Sequence, residues 1–225
     1  MWRQVAAFLL PLLLLSPSPS GTVSGRVTLL KNGVSRADAS NVAVWLEGVR
    51  VKQSAGGAVL GQMESAKKTF TPRVVVVPRE AGVEFPNSDP IFHNVFSVSG
   101  PNRFDLGLYR SGTSKTRRFD APGLVRVYCN IHPQMVGFVM VVDSDVSAVT
   151  GPDGSFRLAN VPPGTYTLRS WHEEAGASQT TVAVRPGNDS PVALRLDVSG
   201  FRPAPHKNKY GKDYPPQAGL DDERY

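Results

Sequence analysis

Cysteine is almost missing from this 225-residue sequence, which holds one, Cys129. Histidine and methionine are nearly as scarce, with four of each. A single thiol excludes an intrachain disulfide framework and any centre that needs two bridging cysteines. Sustained helical spacing is also missing, because no segment repeats apolar residues at intervals of three and four. Charge is ordinary, at 20% of residues with a moderate net of +6, and the basic residues are dispersed without a nucleic-acid-binding motif. Nucleic acid is therefore not an expected partner. The longest apolar run, Val5 to Leu15, has eleven positions. It is too short to cross a hydrocarbon layer of about 30 Å as a helix.

Gly (21) and Pro (19) are plentiful and Val recurs throughout, which favours many short strands joined by turns. The first twenty residues stand apart. Arg3, the apolar run and then Ser16-Pro17-Ser18-Pro19-Ser20 read as a secretory signal peptide over residues 1–20, with Gly21 as the new N-terminus. An uncleaved membrane anchor is the alternative. The first reading makes the mature protein periplasmic, without a transmembrane span. It also gives Cys129 its meaning, since exported proteins usually pair their cysteines. An unpaired thiol in an oxidising compartment is a hazard unless it is buried or held by a metal.

From Gly21 the sequence reads as strand after strand. Val23–Leu30 and Val42–Gly48 are rich in β-branched residues, and Lys52–Lys68 is weakly patterned, an insertion or a short helix. Val74–Val77, Gly82–Phe85, His93–Val98, Gly123–Tyr128 and Val136–Val142 follow as strands. Near Asp143 the texture changes to a Thr150-Gly-Pro-Asp-Gly154 turn and further short strands at about ten-residue spacing, which predicts a second, small β-sandwich. The expected organisation is all-β: a Greek-key sandwich over residues 21–143, a small sandwich over 144–198, and a tail over 199–225 that is disordered unless it docks on a partner or packs across the body.

The chemistry is concentrated in Tyr128-Cys129-Asn130-Ile131-His132-Pro133-Gln134-Met135, which offers a thiolate, an imidazole and a thioether just past a strand. A soft sulfur, two imidazoles and a weak axial thioether are the donor set of a blue-copper electron-transfer centre. His93 is the best source of the second imidazole, because it follows a turn and opens a strand 36 residues before Cys129. A buried structural cysteine and a zinc site are the competing readings, although zinc has little use for a thioether. With His93 and His132 used, only His172 and His206 remain, too few for a catalytic copper, and no enzyme activity is expected. Met63 and Met140 are weaker thioether candidates than Met135. The basic group Lys115, Arg117 and Arg118 is either a solvated hairpin or a steering patch for an acidic partner.

Residues from about Phe70 to Val142 resemble the cupredoxin family. The loop CNIHPQM is similar to that of amicyanin, and FPNSDPIFHNVFS is similar to the first-ligand region of plastocyanin-like proteins. The chain most closely resembles bacterial periplasmic methylamine-utilisation-like proteins of that family. The resemblance implies one type 1 copper per chain, with His93, Cys129 and His132 as equatorial ligands and Met135 as the axial one. It implies that Asn94 ties the two ligand loops together and that Pro133 stiffens the loop. It also implies an electron carrier whose redox partner is a cytochrome or dehydrogenase; a cell-envelope copper-binding or partner-binding module without that role is the alternative. GPDGSFRLANVPPGTYTLRSWHE resembles the carboxypeptidase-regulatory, transthyretin-like fold, which implies a support module and no peptidase, since no H-x-x-E motif accompanies it.

Overall fold

The computed structural model describes residues 19–50 and 58–216. The leader expected over residues 1–20 falls almost wholly outside the described residues. Within them the chain forms eighteen strands and one short 3-10 turn, and no α-helix. Three strands come first: β1 (Gly21–Lys31), β2 (Val34–Ser35) and β3 (Ala43–Leu46). Ten follow before the change of texture: β4 (Val59–Gln62), β5 (Glu64–Ala66), β6 (Thr69–Thr71), β7 (Val74–Pro78), β8 (Gly82–Pro86), β9 (His93–Ser97), β10 (Phe104–Tyr109), β11 (Ser114–Arg118), β12 (Gly123–Cys129) and β13 (Val136–Val142). The last five are β14 (Ser147–Val149), β15 (Ser155–Val161), β16 (Gly164–His172), β17 (Gly176–Val184) and β18 (Asp189–Asp197).

Four main sheets stack face to face. The outermost has the order β15-β1-β18, with β2 on β1; next comes β14-β3-β16-β17, then β10-β9-β12-β13-β7, and last β11-β8-β4. Val23, Val27, Leu29, Val44, Leu168 and Leu196 fill the space between the first two sheets. Val77, Val83, Phe85, Val95, Phe119, Val127 and Val139 fill the space between the last two. A third apolar layer, Ala43, Val74, Phe138, Met140, Val142 and Trp171, lies between the two sandwiches. This explains why Val74–Val77 and Val136–Val142 carry hydrophobic residues without alternation: both faces of β7 and β13 are covered. Phe138 and Trp171 meet with ring centroids 5.0 Å apart, and Arg73 pairs with Glu173 at 2.7 Å beside them.

The domain boundary differs from the expectation. β1 runs parallel to β18 and antiparallel to β15, and β3 pairs with β14 and β16. The N-terminal strands therefore belong to the sandwich formed by residues 144–198, not to one running from 21 to 143. The span from β4 to β13 is an insertion between β3 and β14. Its two connections run side by side, with Leu46 N–H on Val146 O (3.1 Å) and Asp145 N–H on Val49 O (2.8 Å). The expected split at 143 follows chain order, whereas β1 finds its partners near the other end of the chain, with Val23 opposite both Leu158 and Ser190. Gly154, at φ 73°, closes the turn that joins the halves: its carbonyl accepts from Val27 N–H, and a Cβ there would sit 2.2 Å from Val27 O.

Two smaller expectations leave alternatives open, and the structure selects between them. Residues 59–66 form β4 and β5, with β4 parallel to β8, so the weakly patterned segment contains no helix among its described residues. Residues 217–225 lie outside the described residues, and the tail from 199 to 216 takes the alternative of packing across the body. It crosses the end of the inserted sandwich and hydrogen-bonds to the loop after β12.

Candidate metal centre

β9 opens with His93 and β12 closes with Cys129; the two strands pair, with Cys129 opposite Val95. That pairing brings residues 36 positions apart to one end of the sandwich. The loop after β12 is short and held from within: Met135 N–H donates to His132 O (3.0 Å) and Cys129 N–H to Met135 O (3.3 Å). The turn aims His132 back at Cys129. Cys129 Sγ lies 3.8 Å from His93 Nδ1 and 3.5 Å from His132 Nδ1, and the two nitrogens are 3.1 Å apart. All three residues are buried, and they are the one such group of potential metal-ligating side chains among the described residues. Met135 is fully buried in the same core cluster as Cys129.

The electrostatics suit a cation. Asp89 Oδ2 accepts the Nε2–H of His93 at 2.8 Å, so Nδ1 of that ring presents its lone pair to the centre. Asp89 is held in turn by the backbone N–H groups of Lys67 and Lys68. Burial pushes its carboxyl upward, but those donors and the His93 ring together leave it below the usual range. Burial lowers His93 against the opposing pull of Asp89, and burial with the neighbouring His93 lowers His132 to about 4. Both imidazoles are thus neutral at neutral pH. Burial raises the Cys129 thiol, opposed by the backbone N–H groups of Ile131, Asn94 and His132 that point at the sulfur. A buried soft sulfur and converging ring nitrogens, without a compensating positive charge among them, fit a thiophilic metal ion.

The other candidates lie elsewhere. Met63 is fully buried, with its sulfur packed against Gly137, and Met140 faces the layer between the sandwiches. His172 is buried at the end of β16 and accepts the Glu174 N–H at 3.3 Å. His206 stacks on Tyr128 in the tail. Lys115 donates to Leu106 O at 2.5 Å and Arg118 pairs with Asp120 at 2.7 Å, so two of the three basic hairpin residues are engaged locally. Asn94 reaches the other ligand loop through its backbone N–H, which addresses the Cys129 sulfur, while its side chain donates to Asp105 at 2.7 Å. Sequence reasoning missed the role of Asp89, although it stands in the quoted FPNSDPIFHNVFS segment. It also missed Asp105 and Tyr214, whose spacing carries no signal.

Comparison with known proteins divides along the same line as the fold. Residues 137–197 match the carboxypeptidase regulatory-like domain. The match begins inside β13 and omits β1 and β3, which complete that sandwich from the other end of the chain. Among solved structures, a purple cupredoxin from Nitrosopumilus maritimus is 22% identical over 36% of this chain and 98% of its own, at a TM-score of 0.32. A mutant of amicyanin, in its reduced Cu(I) form, is 24% identical over 40% of this chain and 86% of its own, at 0.35. A copper-containing nitrite reductase from Thermus scotoductus is 23% identical over 51% of this chain and 28% of its own, at 0.36. Superpositions of that size are partial. Among curated proteins, none matches the sequence.

Proposed function

We propose that the protein is an exported, cupredoxin-like electron carrier of the methylamine-utilisation-like kind. In this reading one type 1 copper is held by His93, Cys129 and His132, with Met135 as a weak axial ligand. The observation that carries it is the convergence of one buried thiol and two ring nitrogens within 4.8 Å. When bound, copper would supply a one-electron couple. The chain's own residues do the rest. Asp89 fixes the ring of His93, and three backbone N–H groups stabilise negative charge on the Cys129 sulfur. Strands β9 and β12 hold both loops so that little has to move between oxidation states. The apolar cluster around Met135 keeps water away. In this reading the protein works in the periplasm and its redox partner is a cytochrome or a dehydrogenase.

A second reading, a copper-binding or partner-binding module of the cell envelope without electron transfer, is favoured by one observation: both histidines are almost wholly buried, leaving little ligand edge for a partner to approach. Titration of the mature protein with Cu(II), followed in the visible spectrum, tests both. An intense thiolate-to-copper band that saturates at one equivalent and is reversibly bleached by ascorbate supports the electron carrier. Copper that binds without reversible reduction supports the module. No band, with Cys129 still titrating as a free thiol, overturns the copper site.

A further inference from the structure

The loop from Cys129 to Met135 satisfies its inner backbone groups itself, but its outward-facing ones are met by the C-terminal segment. Tyr214 donates its hydroxyl proton to Cys129 O at 2.9 Å. His206 donates from Nε2 to Pro133 O at 2.7 Å, and its ring stacks on Tyr128 at 4.1 Å with 21° between planes. Lys209 N–H donates to the Asn130 side chain at 3.1 Å. Lys209 Nζ pairs with Asp105 Oδ2 at 2.7 Å, and the other oxygen of Asp105 holds the Asn94 side chain. Asn94 is also one of the backbone donors to the Cys129 sulfur. The tail thus touches three consecutive residues, 128–130, together with Pro133, and closes a ring of contacts around the thiol.

This is a built arrangement, not an incidental contact. Asn208 organises the segment: its side-chain oxygen accepts from Tyr210 N–H (3.0 Å) and Lys212 N–H (3.1 Å), and its own N–H donates to Lys212 O (2.9 Å). Gly211 takes the positive φ, 74°, that lets the chain double back. Lys207 and Asp213 close the base of the turn at 2.5 Å. The doubling back is what sets Lys209 and Tyr214 beside one another over the ligand loop.

We propose that residues 206–214 are a third loop of the metal centre, in which His206, Lys209 and Tyr214 are positioning residues that clamp the Cys129–Met135 loop from outside. The geometry of the clamp is independent of the metal, but its effect on copper rests on the copper reading above. A donor atom held to a narrower range of positions binds its metal more tightly and rearranges less on a change of oxidation state. The clamp also gives a partner a different surface to meet: residues 206–214 themselves, not the bare ligand loop.

The test uses the full chain carrying Tyr214→Phe, His206→Phe and Lys209→Met, singly and together. Tyr214→Phe removes the hydroxyl's contacts with Cys129 O and His206 Nδ1 and keeps the ring, and His206→Phe keeps the stacking on Tyr128. In the copper-free protein, amide hydrogen exchange over residues 129–135 should quicken about tenfold in the triple variant, while the strands of the carboxypeptidase-regulatory-like sandwich stay protected. In the copper-loaded protein, release to a chelator should quicken roughly 10–100-fold and the reduction potential should move, with Lys209→Arg restoring both towards the parent. Unchanged exchange in the triple variant overturns the clamp, whatever copper does. Faster exchange with copper release and potential both unchanged confines the clamp to the apo loop and overturns its role at the metal. If the parent binds no copper at all, it is the copper reading that fails, and the exchange result still decides the clamp.

Discussion

The two sandwiches of this chain are built alike and filled differently. Each packs two antiparallel-rich sheets around a valine- and leucine-rich or valine- and phenylalanine-rich interior. In the sandwich made from both ends of the chain, the buried polar residues are few and serve the backbone. Thr150 Oγ1 donates to Ala39 O and accepts from Val42 N–H, and Ser144 Oγ bridges the two inter-domain connections. In the inserted sandwich most of the buried polar residues gather at one end, Asn87, Asp89, His93, Asn94 and His132 beside Cys129, while Ser97 and Asn102 lie away from it. A core can carry such a cluster only where every member finds a partner or a ligand. The contrast teaches that scaffold and site are separable in this molecule, with the polar burden placed at the end of the sandwich where two loops and the tail meet.

The sharpest way to break the comparison is Cys129→Ala. It should abolish the intense visible band of the copper-loaded protein while leaving the far-ultraviolet circular dichroism of both sandwiches intact; a surviving band would show that the sulfur is not a ligand. Next in size is Trp171→Ala. Trp171 stands on the host sandwich and packs on Phe138 of the insertion. Removing a large buried aromatic costs about 3–5 kcal/mol. If the layer between the sandwiches couples them, thermal unfolding followed by the copper band and by circular dichroism should shift downward together. Two separated transitions would mean that the insertion melts on its own.

Acid should also distinguish the sandwiches. His132 is held at about 4 by burial and by its neighbour His93, below the roughly 6.5 of an unfolded chain. Between those values the unfolded chain binds a proton that the folded one refuses, so stability falls as pH drops through that window and is flat above it. The loss for one such group amounts to at most about 3 kcal/mol. His93 and, in the host sandwich, His172 are lowered as well, with burial as the main cause, and act in the same direction. Melting temperatures of the copper-free protein at pH 7 and pH 5 measure the sum. In His172→Gln the remaining fall should belong to the inserted sandwich, and copper should reduce it, because a ligated ring nitrogen cannot take the proton. A fall that vanishes in His172→Gln would place the acid sensitivity in the scaffold instead.

The strands and the three converging donors are legible in the sequence because both signals are local. Alternation or a continuous apolar run marks a strand, and Cys129, His132 and Met135 sit within seven residues. His93 is reachable through the turn that precedes it. The domain boundary is not legible in the same way. Chain order places Gly21–Leu46 with the sandwich that follows it, whereas β1 is completed by β15 and β18, and nothing in the periodicity of a strand names its partner. Whether the tail packs on the body or stays disordered is undecided in the sequence for a related reason. His206, Lys209 and Tyr214 lie in a segment poor in apolar residues, and its order comes from hydrogen bonds to the loop at Cys129 and from the Asn208 turn, which composition does not register.

The smallest expected effect sharpens the comparison most, because it alters one proton within the polar cluster and nothing in the scaffold. Asp89→Asn keeps the size of the side chain but removes its charge. As a carboxylate, Asp89 can only accept, which forces His93 to carry its proton on Nε2 and leaves Nδ1 open toward Cys129 and His132. An amide can accept through its oxygen or donate through its nitrogen, so the ring is free to take the other tautomer. Lys67 N–H points at Oδ1, whereas Lys68 N–H and His93 Nε2 share Oδ2, so the amide nitrogen of the variant must face one of the two backbone donors. With its nitrogen at the Oδ2 position the amide would drive the ring proton onto Nδ1, into the centre; with its oxygen there, a neutral acceptor would hold the ring less firmly than the carboxylate does. Copper affinity should therefore fall about 10–100-fold, as for other partners of metal-binding histidines. Competition with a chelator of known affinity reads this directly, and the far-ultraviolet spectrum should not change. An affinity equal to the parent's would mean that the geometry of strand β9 alone fixes the ring of His93, and that the carboxylate serves the Lys67–Lys68 turn instead of the site.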